Sequence, residues 1–137
     1  MSWHHNRKRS PQESSYRALF NRTMQNAKRR KIEWRLTFDE FVSKVTQPCV
    51  WCQVSPSEAY NACISKNGYT QRHTLDNDGV REGWITYNGL DRIENNGIYE
   101  VTNVWPCCKF CNFARNNRTV EEFQVWLRLV ADTWINK

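Results

Sequence analysis

The sequence predicts an α+β domain stapled by a four-cysteine metal site, with a helix at each end. Three observations point to this class. Cys49-Val50-Trp51-Cys52 and Cys108-Lys109-Phe110-Cys111 repeat one C-x-x-C spacing. Apolar residues recur at helical steps on the outer sides of the two pairs. Between the pairs, short runs of strand-forming residues are bounded by Asn-Gly turns.

The cysteines carry the strongest signal. Two thiolates at C-x-x-C spacing turn back onto one tetrahedral ion, and two such knuckles complete four ligands. Cys49, Cys52, Cys108 and Cys111 are therefore read as ligands of a structural Zn2+. Cys107 competes with Cys108, because Cys107 and Cys111 stand at x3 spacing; Cys108 is preferred because x2 matches the first pair. Cys63 has no partner pattern. An ion closed by four protein ligands has no open position for catalysis, so this zinc contributes to folding. The 55 residues between Cys52 and Cys108 exceed what a simple finger uses, and must contain folded structure. The alternative is a set of reduced cysteines packed in the core.

Composition agrees with a small packed domain. The 137 residues are 39% hydrophobic and 25% charged, and seven Trp, six Phe and five Tyr supply large buried rings. No apolar run reaches membrane-spanning length and the start is polar and basic, so neither a transmembrane helix nor a secretory signal is expected. A reducing, cytoplasmic setting is expected, in which metal binding is favoured over disulfides. Charge is uneven. Residues 1–35 hold ten basic side chains against Glu13 and Glu33, whereas the whole chain is only +6. A basic arm on a near-neutral body is the footprint of a polyanion binder. The plainer reading is a solvated tail.

Along the chain, residues 1–11 read as disordered. Glu13 to Lys31 favours helix, with Tyr16, Leu19, Phe20 and Met24 near helical spacing. Residues 1–35 are thus taken as a basic arm and helix for nucleic-acid contact, and 36–137 as the zinc-stapled domain. Thr37-Phe38-Asp39-Glu40 is a capping box opening a short helix through Phe41, Val42 and Val45, stopped by Pro48. Residues 53–83 read as an insertion with turns at Lys66-Asn67-Gly68 and Asp76-Asn77-Asp78-Gly79. Trp84 to Tyr87 and Leu90 to Ile93 read as strands of one hairpin around Asn88-Gly89. Val101 to Trp105 is expected to be extended. Asn112 to Asn116 makes a short helix. A last helix starts at Thr119, with Glu122 completing a second capping box. Its stripe of Phe123, Trp126, Leu127, Val130 and Trp134 is expected to pack in the core.

Tyr87-Asn88-Gly89-Leu90-Asp91-Arg92-Ile93-Glu94-Asn95, then Gly97, Asn103-Val104 and Pro106-Cys107-Cys108-Lys109-Phe110-Cys111-Asn112, closely resembles the HNH endonucleases of phages and bacteria, in their zinc-knuckle subgroup. Leu36-Thr37-Phe38-Asp39-Glu40-Phe41 also resembles a segment found ahead of the first knuckle in that family. The resemblance covers most of residues 15–130 outside the insertion. It implies a ββα-metal core around one divalent ion, Mg2+ or Mn2+. It places Asp91 and Asn112 as ligands of that ion, Asn103 as the residue that orients the loop through backbone hydrogen bonds, and Arg115 facing phosphate. One departure stands out: Arg92 occupies the position of the general-base His. Arginine stays protonated and cannot take a proton from water. Arg92 can clamp a phosphate, and the base is left to His73, to Tyr87 or, more weakly, to His4 or His5. Each residue also has a plainer reading: Asp91 in an ion pair, Asn112 capping a helix, Asn103 in a turn, Arg115 and Arg118 solvated.

The resemblance thus implies an endonuclease with Asp91, Arg92, Asn103 and Asn112 at its centre, acting on double-stranded DNA. Arg17, Lys28, Arg29, Arg30, Lys31, Lys109, Arg115 and Arg118 are the expected nucleic-acid contacts. Trp51, Trp84 and Trp105 are read as core, although each can stack on a base. The alternative is an HNH scaffold impaired in cleavage that binds nucleic acid or a phage or host protein. A structural zinc-ribbon protein is a third reading.

Overall fold

The computed structural model describes residues 9–64 and 81–135. His4, His5, Arg7, Lys8, His73 and the two Gly-containing turns expected at 66–68 and 76–79 lie outside them. Helix α1 spans Pro11–Arg29 and α2 spans Phe38–Val45. Strands β1 (Glu58–Tyr60), β2 (Ile85–Tyr87) and β3 (Gly89–Arg92) follow, then a 3-10 turn at Val101–Asn103, β4 (Val104–Cys107), α3 (Lys109–Arg115) and α4 (Val120–Ile135). The α+β class expected from the sequence is the class observed.

Local chemistry sets the helix starts. Ser10 caps α1 by accepting from the Glu13 backbone N–H, and Pro11 sits in the first turn, where its missing N–H costs nothing. Thr37 and Glu40 cap α2 reciprocally: Thr37 N donates to Glu40 Oε1 at 2.9 Å, and Glu40 N donates to Thr37 Oγ1 at 3.2 Å. Thr119 and Glu122 form the same box ahead of α4.

Helix α1 packs into the main core. Tyr16 and Leu19 meet Phe41, Val42 and Val45 of α2 and Ile85 of β2. A second cluster joins Ala27, Leu36, Tyr99 and Val104, and Trp34 and Leu90 touch both clusters. The rings meet edge-on, as in Phe20–Phe41 at 5.5 Å between centroids, or tilted, as in Trp34–Tyr99 at 5.2 Å. Arg35 N donates to Tyr99 O and Tyr99 N to Glu33 O, which pins the segment after α1 to the loop before β4.

The strands depart from the expected hairpin. β2 and β3 are sequential, yet they belong to two separate antiparallel pairs: β1 with β2, in register Ala59↔Thr86, and β3 with β4, in register Asp91↔Trp105. Asn88 is the reason. It is 2% exposed, its N–H donates to Val45 O at 2.8 Å, and its Nδ2 donates to Gln47 O at 2.9 Å and to Val54 O at 3.3 Å. Those bonds tie the residue to the end of α2 and the first knuckle, so the chain passes from one sheet to the other instead of reversing. The expected extended run at Val101 to Trp105 also divides, into the 3-10 turn and the start of β4.

The stripe on α4 corrects a second expectation. Only Phe123 is buried, against Trp51 at 4.8 Å between ring centroids; Trp126, Val130 and Trp134 are 41%, 38% and 70% exposed. Helical periodicity marked the face, but only the first turns of the helix meet the body among the described residues. Trp51 and Trp105 are packed together at 5.4 Å between centroids, whereas Trp84 is half exposed.

Asn88→Ala removes the side-chain donor that the Gln47 and Val54 carbonyls share, leaving Val54 O only the Cys49 N–H. The expected loss is about 1–3 kcal/mol of folding stability, read as a lower urea midpoint at unchanged m-value.

Candidate active site and metal centre

The two cysteine pairs converge. The Sγ atoms of Cys49, Cys52, Cys108 and Cys111 all lie within 4.8 Å of one another. Cys52 Sγ and Cys108 Sγ are 3.7 Å apart, close to the ~3.8 Å edge of a tetrahedron with zinc–sulfur bonds of about 2.3 Å. The site can hold a metal ion, and the donor set, four soft sulfurs, fits zinc. Backbone geometry builds each knuckle. Gln53 adopts a left-handed conformation (φ 64°) and its N–H closes back on Cys49 O at 2.9 Å. Cys108 caps α3: its Sγ accepts from the Cys111 N–H at 3.4 Å. Val50 N donates to Pro106 O at 2.9 Å, which brings the knuckles together. Cys107, the competitor for the register, packs beside the four but is not one of them, and its Sγ contacts Cys108 O at 3.6 Å. Cys63 is buried and also outside it.

The thiols do not ionise alike. Burial works to raise the Cys49 thiol, but backbone N–H groups of Cys108, Cys52 and Trp51 aimed at its sulfur outweigh that and bring it down to about 6. Burial and the neighbouring sulfurs push Cys111 up. Burial, then the negative charge of Asp91, raises Cys107. A cation is the means by which the remaining thiolates can coexist with the first.

Beside this cluster lies a cleft of about 710 Å3 lined by Arg30, Asp91, Arg92, Lys109 and Asn112, with asparagines 95, 96, 116 and 117 and the rings of Tyr99 and Phe113 around it. The β3–β4 pair and α3 supply its floor. Asp91 is 9% exposed. Its Oδ2 accepts from Arg115 Nη1 at 2.6 Å and from Trp105 Nε1 at 3.2 Å; both contacts fall on one oxygen, and Oδ1 takes none among the described residues. Asn112 is exposed on α3 and lines the same cleft. Arg92, which lines the cleft, donates from Nη1 to Gly97 O at 2.7 Å and lies 5.4 Å over the Tyr99 ring.

Asn103 holds the loop that follows Asp91 and Arg92. Its Oδ1 accepts from Glu94 N at 2.9 Å, and its Nδ2 donates to Glu94 O at 3.3 Å and Ile98 O at 3.0 Å. A Cβ on Gly97 would come within 2.5 Å of Asn103 Nδ2, so a side chain there would dislodge the amide.

Three expectations are corrected here. Arg115 does not face phosphate. It is 0% exposed, and besides Asp91 it donates to Arg92 O at 2.8 Å, Ile93 O at 2.7 Å and Arg118 O at 3.1 Å. Arg17 is not a free contact: it pairs with the buried Glu13 at 3.4 Å and covers the Phe38 ring at 4.1 Å. Tyr87 does not reach Asp91. It lies on the other sheet, where its hydroxyl accepts from Arg22 Nη2 at 3.3 Å, and burial raises its ionisation. The remaining expected contacts are exposed: Lys28, Arg29, Arg30 and Lys31 at the end of α1, Lys109 on α3, and Arg118, whose Nη1 donates to Ala114 O at 2.9 Å. Sequence reasoning missed Tyr99, Phe113 and the asparagines around the cleft. Only the Asn-rich runs at 95–96 and 116–117 hinted at a shared polar surface.

No family model matches the chain. The solved structure of the rare-cutting HNH restriction endonuclease PacI superposes with a TM-score of 0.53, covering 88% of this chain and 80% of that chain at 16% identity. The fold is HNH-like. Over 101 residues, or 74% of its length, the chain is also 30% identical to an uncharacterized protein of Acanthamoeba polyphaga mimivirus. The chain spans 14% of that relative. Within the HNH-like fold, the cysteine cluster sits behind α3 and the Asp91–Asn112 cleft in front of it. Among the described residues no helix is long and apolar enough to cross a membrane.

The metal-free protein is expected to lose the packing of Trp51 against Phe123. Freshly purified protein should contain about one zinc per chain. Acidification should release the metal, because protons compete with it for the thiolate ligands. Zinc release followed with a chromogenic chelator checks this. Cys49→Ser should release zinc at a higher pH.

Proposed function

We propose that the protein is a metal-dependent HNH-type endonuclease that hydrolyses phosphodiester bonds in DNA. The observation that carries this reading is the convergence of Asp91, Arg92 and Asn112 on one basic cleft of an HNH-like fold. Structural zinc at Cys49, Cys52, Cys108 and Cys111 would fix α3 against β4. A second divalent cation, Mg2+ or Mn2+, fits the cleft by donor chemistry: the Asp91 Oδ1 carboxylate oxygen and the Asn112 amide oxygen are hard ligands that leave positions for water and phosphate. Held by these two residues, such an ion would polarise a phosphoryl centre and stabilise a leaving oxygen.

The chain's own groups do the rest. Asn103 holds the loop from Glu94 to Ile98, which sets the position of Arg92. Arg92 and Lys109 offer donors to non-bridging phosphate oxygens. Arg115 keeps Asp91 oriented, leaving Oδ1 to the cleft. The exposed cations from Lys28 to Lys31 extend the positive surface and give sequence-independent backbone contacts. Arg92 itself cannot serve as the proton acceptor for water.

A scaffold that binds nucleic acid without cleaving it is the second reading. It is favoured by Arg92, tied to Gly97 O where the base is expected. The full length of the matching viral relative leaves room for activities beyond this segment.

Nicking of supercoiled plasmid in Mg2+ or Mn2+ separates the readings. The wild type should nick, and Asp91→Ala and Asn112→Ala should each lower the rate at least ~100-fold, as loss of a positioned electrostatic group does. Plasmid binding without cleavage in every metal would sink the nuclease. Neutralising Lys28, Arg29 and Lys31 together should flatten the slope of log K against log salt by up to about three, read by fluorescence anisotropy on a labelled duplex. An unchanged slope would remove the end of α1 from the interface.

A further inference from the structure

Helix α3 shows solvent an aromatic surface that the reading above does not use. At 100° per residue, Asn112, Asn116, Lys109, Phe113 and Phe110 fall on one arc of the helix, while Cys111 and the fully buried Arg115 fall on the opposite side. Phe110 and Phe113 are 85% and 87% exposed. No other pair of rings on the described surface is so bare, and each stands next to a cavity. Phe113 lines the cleft that holds Asp91. Phe110 lines a second cavity of about 330 Å3 on the other flank of α3, between the helix and the β2–β3 junction. Asn112 and Lys109 line both.

We propose that Phe110 and Phe113 are a base-stacking platform: they insert against unstacked nucleobases on either side of the phosphate held at Asp91 and Asn112. The inference rests on the nuclease reading and assigns it two further substrate-binding residues. Charge selects the occupant. Lys109 lies beside Phe113 on the arc and lines both cavities, Arg30 and Arg92 line the cleft that Phe113 borders, and Asp91 is the one carboxylate among the described lining residues of that cleft. An apolar protein segment would leave these cations and the surrounding asparagine amides without partners, whereas a nucleic-acid strand supplies phosphates to the first and base edges to the second. Aromatic side chains accept any base, because every base has a π-face. Wedges of this kind also open base steps and kink the duplex.

The mechanical support is on hand. The face of α3 opposite the rings is anchored by Arg115 and, through Cys108 and Cys111, by the cysteine cluster. The rings therefore stand on a fixed platform, as an inserting wedge requires.

The test uses the full chain, zinc-loaded, in Ca2+ buffer, with two fluorescein-labelled 20-bp duplexes that differ by one central mismatch. A mismatched step is easier to unstack, so the wild type should bind it more tightly than the perfect duplex. The Phe110→Ala/Phe113→Ala variant should lose roughly 5- to 150-fold in affinity for the mismatched duplex, the range of one base–aromatic stack. It should lose the preference as well, and Phe110→Trp/Phe113→Trp should restore both. Equal affinities of wild type and the alanine variant for both duplexes would overturn the platform while leaving the nuclease reading intact. Absence of binding to either duplex by the wild type would overturn both. If sedimentation instead shows a wild-type dimer that the alanine change converts to monomer, with DNA affinity untouched, the rings cover a protein contact and the proposal falls. Unchanged zinc content of each variant shows that it is folded.

Discussion

The buried guanidinium of Arg115 ties the site together. Its Nη1 reaches from α3 to Oδ2 of Asp91 on β3 and also donates to Arg92 O, while Nη2 and Nε satisfy the carbonyls of Ile93 and Arg118. One side chain thus joins the helix that bears Asn112 to the strand that bears Asp91. It also stitches the start of the loop that Asn103 holds from the other side. Removing either partner would strand a charge in a buried place, a cost of about 3–5 kcal/mol. The same pairing constrains the chemistry. It occupies one oxygen of Asp91 and leaves the other without a partner among the described residues, so the carboxylate has a set orientation before any ligand arrives.

The cysteine cluster does for α3 from behind what Arg115 does from within. Cys108 ends β4 and caps α3, while Cys49 is held beside β4 by the Val50–Pro106 bond. The first knuckle also carries Trp51, whose ring receives Phe123 of α4. A metal held there would therefore join the first knuckle, the end of β4 and α3, with α4 attached through Phe123 on Trp51. This accounts for how so short a helix, seven residues, can hold a stable position. Isolated helices of that length do not persist in water.

Much of this was legible in the sequence because the signals are local. The repeated C-x-x-C spacing led to the four sulfurs that meet, including the choice of Cys108 over Cys107, since a knuckle is a property of a few consecutive residues. Both Thr-x-x-Glu boxes cap helices for the same reason. The positions of Asp91, Asn103 and Asn112 relative to one another were readable only through resemblance to HNH endonucleases; nothing in composition alone brings an aspartate at 91 to an asparagine at 112. The hairpin at Asn88-Gly89 was misread because turn propensity describes the backbone of two residues. It says nothing of the carbonyls of Gln47 and Val54 that capture the Asn88 amide from more than thirty residues away.

The sequence by itself determined the α+β class, the cysteine cluster, the starts of α2 and α4 and the basic character of residues 1–35, whereas α3 begins at Lys109 and not at the expected Asn112. Each depends on spacing, capping or charge, which are set over a few residues. Tertiary structure alone decided which cations remain for a ligand. Arg17 and Arg115 look no different in sequence from Arg30 and Lys109, yet the first two are consumed by Glu13 and Asp91 and the last two are left at the cleft. It also decided which apolar residues are core and which are surface. Phe123 is buried while Trp134, Phe110 and Phe113 are not. The physical reason is common to both. Burial and pairing are properties of where distant segments meet, and a side chain's role follows from what the fold places beside it.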